Sequence, residues 1–240
     1  MNTRSRQTIS ASPRPAPWLP VLAVLVLMAL PVAALAHDVA EGDKAFVRSI
    51  DGPAIVPFLY LGAKHMVTGY DHVLFLVGVV FFLRRLREVV LYVSMFTIGH
   101  STTLLGGVLL GAGANPYIID AIIGLSVVYK GLENVGAFAR LGLNIDTRLA
   151  VLVFGLFHGL GLATKMLDLG VSENGLLANL VAFNLGVEIG QVIVLAFVVL
   201  LLDAWRQRPS FARYAFAANL ALIGAGIWLT AYQIEGYIAS

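Results

Sequence analysis

Four of the five histidines in this 240-residue chain, His65, His72, His100 and His158, fall in or beside apolar stretches long enough to enter a membrane. Asp71, Asp120, Lys130, Glu133 and Glu188 join them there. Neutral imidazole nitrogen suits Ni, Co, Cu and Zn, whereas Mg and Ca prefer all-oxygen sites. A carboxylate beside an imidazole either ligates the ion itself or holds the second ring N–H in place, and Asp71, next to His72, can do either. The chain has no cysteine, which removes disulfides, thiolate metal sites and cysteine nucleophiles together. Any metal ligand is therefore His, Asp, Glu, Met, Asn or backbone. Without thiolate the binding is moderate, as an ion that must leave again requires.

Polar residues flank these groups at helical spacing. Asn184, Glu188 and Gln191 lie at i, i+4 and i+7 and form one stripe, and Ser94, Thr97 and Ser101 form another beside His100. A charge such as Lys130, Glu133 or Glu188 costs about 2.5 to 3.5 kcal/mol at mid-bilayer, so each must face a partner or a wet cavity. Plainer readings stand beside these. Lys130 with Glu133, and Lys165 with Asp168, are three apart and can form ion pairs within one helix. A single histidine in a span is often a hydrogen-bonded packing residue. Met66, Met95 and Met166 would suit Cu(I), although methionine in apolar helices is usually packing.

The elements that must position these residues are membrane helices. With 59% hydrophobic and 12% charged residues, the composition is that of an all-α, polytopic transmembrane bundle that faces a lipid bilayer. The 16 Lys and Arg are spread along the chain, and the net charge of +2 gives no nucleic-acid footprint. Residues 1–36 read as a cleavable signal peptide: Arg4, Arg6 and Arg14, an apolar run from Trp18 to Leu35, then Ala34-Leu35-Ala36. A short extracytoplasmic segment, 37–53, precedes a helical bundle over 54–240. Six spans are expected, near Gly69 to Leu83, Val89 to Leu110, Tyr117 to Phe138, Leu149 to Leu167, Leu176 to Leu202 and Tyr214 to Ile234. A retained leader would make seven. Ala54 to Met66 reads as an interfacial lead-in.

Arg84, Arg85, Arg87, Arg140, Arg148, Arg206, Arg208 and Arg213 fall in alternate loops, while "GAGANP" and "GVSENG" hold no Lys or Arg. That bias places the basic loops in the cytoplasm and both mature termini outside, in a bacterial inner membrane. The 24 glycines, with small-xxx-small spacing such as Gly155 and Gly159, predict close helix packing. At 1.5 Å per residue across a core of roughly 30 Å, His72 is expected about 5 Å below the outer surface. His100 follows at about 10 Å, His158 at about 15 Å, Glu188 at about 18 Å and Glu133 at about 25 Å, a ladder that fits a permeation path. An internal echo, "FTIGH" then "GLEN" against "FGLFH" then "GVEIG", would as a parallel repeat bring one imidazole and one carboxylate per hairpin to a common centre. Chance similarity between apolar helices accounts for it better.

"HMVTGYDH", a His followed by five residues and Asp-His at the head of a span, resembles the signature of the HupE/UreJ family of small bacterial nickel or cobalt permeases. "FTIGHSTTL", "GLEN", "FGLFHGLGLA" and "FNLGVEIGQ" are similar to its second branch. The resemblance implies that His65, Asp71 and His72 are a first metal-contacting group with His100, His158 and Glu188 deeper, and it suggests a metalloenzyme maturation system as partner. Lys64 and Met66 flank His65 where the better-known branch favours Pro after that His, so the metal could differ.

The leading expectation is a secondary permease for a divalent transition metal, Ni or Co, with Cu or Zn possible. Its metal ligands are His65, Asp71, His72, His100, His158 and Glu188, with Ser101, Lys130, Glu133, Asn184 and Gln191 in support and Glu133 favouring release inside. No phosphate-binding loop is present, and a divalent cation moving inward gains about 4.6 kcal/mol per 100 mV. The alternatives are an intramembrane zinc hydrolase, with a carboxylate as general base and Ser101 close by, and a non-transporting protein that binds metal or haem. His37, with a mature amino terminus and Asp38, Glu41 and Asp43 nearby, could chelate Cu or Ni separately.

Overall fold

The computed structural model describes residues 41–240, with side chains from Ala45 onward. The signal peptide and the His37 chelate lie outside those residues. Nine helices are described and no strand: α1 (Glu41–Ser49), α2 (Ile55–Thr68), α3 (Tyr70–Val80), α4 (Leu86–Leu109), α5 (Pro116–Asn134), α6 (Ala137–Arg140), α7 (Thr147–Leu169), α8 (Leu176–Arg206) and α9 (Pro209–Ala239). The all-α bundle is as expected. Local chemistry sets several boundaries. Asn115 caps α5 by accepting from the Ile118 N–H at 3.3 Å, with Pro116 opening the helix, and Asp146 caps α7 through the Arg148 N–H at 2.8 Å. Gly170, at φ +64°, ends α7 in the left-handed conformation that only glycine adopts freely.

By length and apolarity, α4, α7, α8 and α9 can each cross a membrane. The other two expected crossings are less regular. Helix α5 has 19 residues and carries Asp120, Lys130 and Glu133. The first expected crossing corresponds to α2 followed by α3, broken at Gly69, whose N–H donates to the His65 carbonyl at 2.8 Å.

Ala54 to Met66 is therefore not an interfacial lead-in. Asn179 on α8 accepts from the Ala54 N–H at 2.7 Å and donates to the Gly52 carbonyl at 3.0 Å. From there α2 descends beside α8. A Cβ at Gly62 would overlap the Phe183 carbonyl, one at Gly186 the Leu59 carbonyl, and one at Gly190 would stand 2.8 Å from the Ala63 carbonyl. At the far end the Arg206 guanidinium donates to the carbonyls of Val80 and Phe81, the latter at 2.8 Å. The pair α2–α3 thus runs parallel to the whole of α8, and Gly69 sits near the middle.

Close glycine contacts also join α4 to α7 and α5 to α9, as the glycine spacing predicts. A Cβ at Gly99 would meet the Leu152 carbonyl, one at Gly155 the Phe96 carbonyl and one at Gly159 the His100 carbonyl. Gly124 and Gly226 face each other across α5 and α9. Backbones that approach this closely gain dispersion contact where burial against lipid provides no drive.

Several charged residues in the spans are paired. Lys130 Nζ meets Glu133 Oε2 at 2.6 Å, and Glu133 also accepts from Thr147. The one-helix ion pair read from their spacing is present. Lys165, by contrast, pairs with Asp120 on α5 at 2.9 Å and not with Asp168 on its own helix. Asp120 is buried at 8% exposure, so it gains more from a cation than a solvated neighbour would. Lys130→Met leaves Glu133 uncompensated and is expected to destabilise the protein by about 3 to 5 kcal/mol, with Lys130→Met/Glu133→Gln recovering most of that loss. Unfolding in detergent with increasing denaturant measures both variants.

Candidate metal centre

The break at Gly69 brings chemistry to mid-bundle. His65 lies in the last turn of α2, and Asp71 and His72 open α3. His100 lies near the middle of α4 and His158 at the middle of α7. Their rings converge: the centroid of His72 is 5.1 Å from that of His65, 6.0 Å from that of His100 and 4.8 Å from that of His158, all edge to face. Four helices therefore contribute one imidazole each to a single cluster.

The depth ladder is overturned by this geometry. Counting began at Gly69 as the outer boundary, but the helical segment starts 14 residues earlier at Ile55. His72 drops accordingly to the level of His100 and His158. The imidazole-plus-carboxylate repeat is not realised either. The histidines of its two halves meet, but Glu133 is held by Lys130 and Thr147. Lys130 packs on Gly78, six residues and so about 9 Å along α3 from His72.

Hydrogen bonds fix which ring nitrogens are available. The Asp71 carboxylate lies 3.0 Å from His72 Nδ1 and also accepts from the His72 backbone N–H at 2.9 Å. The His158 Nδ1–H donates to the Phe154 carbonyl at 2.7 Å, and a carbonyl can only accept, so in the neutral ring Nε2 carries the lone pair. His72 is oriented the same way by its carboxylate. The Nε2 atoms of His72, His100 and His158 are buried and have no hydrogen-bond partner. Three such atoms lie in neighbouring rings, each residue at most 3% exposed, and buried polar atoms are normally partnered by protein, ordered water or an ion.

Residues 41–240 match the family model described as HupE / UreJ protein. The chain belongs to the HupE / UreJ family. No curated protein and no solved structure matches it.

Among the described residues of this HupE / UreJ protein, no three His, Cys, Asp or Glu side chains already form a metal-holding group. Tetrahedral ligands about 2 Å from an ion stand about 3.3 Å apart, whereas these rings pack edge to face. Rotation about the side-chain bonds is needed to turn the Nε2 atoms to one point.

Glu188 is hydrogen-bonded on its own helix and not to an imidazole. It accepts from Asn184 Nδ2 at 3.4 Å, Asn184 accepts from Ser101 at 3.0 Å, and Gln191 accepts from Thr97 at 3.1 Å. The two polar stripes read from the sequence thus meet at the α4–α8 contact.

Sequence reasoning passed over an aromatic layer beneath the imidazoles. Helix α3 runs toward the basic end of the bundle and α4 and α7 run away from it, so Phe75, Phe96 and Phe154 each lie one turn below the histidine of their own helix. Phe96 is 5.0 Å from His158 and 5.4 Å from Phe75, and Phe75 is 5.9 Å from Phe154. The signal was present as F-x-x-x-H in both "FTIGH" and "FGLFH".

Proposed function

We propose that this protein is a secondary permease for a divalent transition-metal cation, nickel or cobalt, in a bacterial cytoplasmic membrane. The observation that carries the reading is the set of three buried, partnerless Nε2 atoms, on His72, His100 and His158, at mid-span beside a broken helix. Broken membrane helices place ion sites at the midplane, where half-helix ends offer their dipoles. The HupE / UreJ match accords with transport of these metals. The Arg-rich end of the bundle is taken as cytoplasmic by the positive-inside rule, with both mature termini outside.

In this reading the cation sheds water as imidazole nitrogens replace it, with Asp71 supplying charge and holding His72 in orientation. His65, at the end of α2, meets the ion beside His72. Glu188 lies to one side, at the α4–α8 contact, hydrogen-bonded to Asn184. Release toward the cytoplasm requires the Phe75, Phe96 and Phe154 floor to part, and the membrane potential favours it by about 4.6 kcal/mol per 100 mV.

The hydrolase alternative is less well supported. Its hydroxyl, Ser101, donates to Asn184, and the carboxylate beside the rings, Asp71, is engaged with His72. A haem would need two imidazoles on opposite faces of a plane, which rings in direct edge contact do not provide.

Purified protein in liposomes is expected to take up radioactive nickel saturably, and faster when a potassium diffusion potential makes the interior negative. Nickel binding with no uptake above that of empty liposomes rejects transport.

A further inference from the structure

The α4–α8 contact holds a second set of ligating atoms whose chemistry differs from that of the imidazoles. Thr97 and Ser101 bracket His100 on α4, and Asn184 and Gln191 bracket Glu188 on α8. The pairs Thr97–Gln191 and Ser101–Asn184 are hydrogen-bonded at 3.1 and 3.0 Å. The Glu188 carboxylate is therefore at the level of His100. All five side chains carry oxygen and none carries a ring nitrogen or sulfur.

Two observations indicate that this group is incomplete without a ligand. Glu188 is half-buried at mid-span, yet among the described residues no Lys, Arg or His forms an ion pair with it, and its one hydrogen bond is the 3.4 Å contact from Asn184. Asp71, Asp120 and Glu133, also inside the spans, each have a basic side chain within 3.0 Å. Gln191 is 2% exposed and its amide nitrogen has no partner. Exchanging the oxygen and nitrogen of that amide lets it donate to the Thr97 hydroxyl and frees its oxygen for an ion.

One carboxylate and four neutral oxygens match a hard monovalent cation. Mg and Ca sites generally hold more negative charge or retain several waters, and Ni or Co favours the imidazoles next door. A single positive charge neutralises Glu188 and leaves no net charge in the bilayer interior. We propose that Glu188, Asn184, Gln191, Thr97 and Ser101 form a sodium-binding site between α4 and α8. His100 and Ser101 are consecutive on one helix, so filling this site and filling the imidazole cluster constrain the same turn of α4. The site does not depend on the permease reading. Its use as a driving-ion site for metal uptake does.

Thermal unfolding of the full chain in detergent, titrated with sodium chloride against choline chloride of equal concentration, tests the site without any transport assay. The expected result is a midpoint that rises saturably with sodium and not with choline, because a ligand bound only by the folded state stabilises it. Glu188→Gln is expected to lose that sodium response while melting as the wild type does in choline, and His72→Ala to keep it. Equal midpoints in both salts for the wild-type protein overturn the proposal even if no variant folds, and so does a full sodium response in Glu188→Gln. A sodium response without nickel uptake sustains the site and rejects the permease, and nickel uptake without a sodium response does the reverse. Where both are seen, an inward sodium gradient is expected to accelerate nickel uptake.

Discussion

Replacing His72 with alanine is expected to abolish saturable nickel uptake, lowering kcat/KM by at least about 100-fold in liposomes. His72 is the hub of the cluster, since its ring touches those of His65, His100 and His158. Its loss removes one ligand and also the ring against which the other three are placed. Asp71→Asn acts through His72: the amide replaces a charged acceptor with a neutral one, weakens the hold on Nδ1 and makes Nε2 less basic. A fall of about 10- to 100-fold is expected there, mostly in KM if the ligands still form. Glu133→Gln serves as the contrast. Glu133 is tied to Lys130 and Thr147, so its loss is read in stability and leaves metal affinity near that of the wild type. A large loss of nickel affinity in Glu133→Gln with little change in His72→Ala would reverse the assignment.

The second large effect is on assembly. Gly159→Leu and Gly186→Leu are each expected to abolish the folded, monodisperse protein. Even a methyl at Gly159 overlaps the His100 carbonyl, and one at Gly186 overlaps the Leu59 carbonyl. Both obstacles are backbone, which cannot turn aside as a side-chain tip can, so the loss exceeds the usual overpacking cost of about 1 to 3 kcal/mol. Forcing α7 from α4 also separates His158 from His100. Gly106→Ala and Gly224→Ala, where a Cβ meets nothing within 4 Å, are expected to be neutral or to stabilise by up to about 1 kcal/mol through better helix propensity. Size-exclusion profiles and detergent unfolding of the four variants distinguish steric loss from a general need for glycine.

These contrasts show which parts of the molecule are legible from residues alone. The bundle is legible because apolar runs with few charges can only be membrane helices, and the Lys130–Glu133 pair because both partners lie on one turn of one helix. The Asn184, Glu188 and Gln191 stripe is legible for the same reason. Partners on other helices are not: Lys165 has Asp168 three residues away, yet its partner is Asp120, 45 residues earlier, because burial rather than proximity in the chain decides which carboxylate needs a cation. The broken first span was the costliest ambiguity. Lys64, His65 and Gly69 interrupt the apolar run, which puts the start of the expected span at Gly69, and every depth counted from there is too shallow. The convergence of His100 with His158 depends on the α4–α7 glycine contacts, whose spacing shows that helices pack closely but not which ones.

X-ray absorption at the nickel edge on the metal-loaded protein tests the central claim, that imidazoles from separate helices hold one cation at mid-membrane. The expected spectrum shows at least three imidazole rings at about 2 Å, with one fewer in each of His72→Ala, His100→Ala and His158→Ala. A shell of water and carboxylate oxygen alone, or an imidazole count unchanged across those three variants, would contradict it.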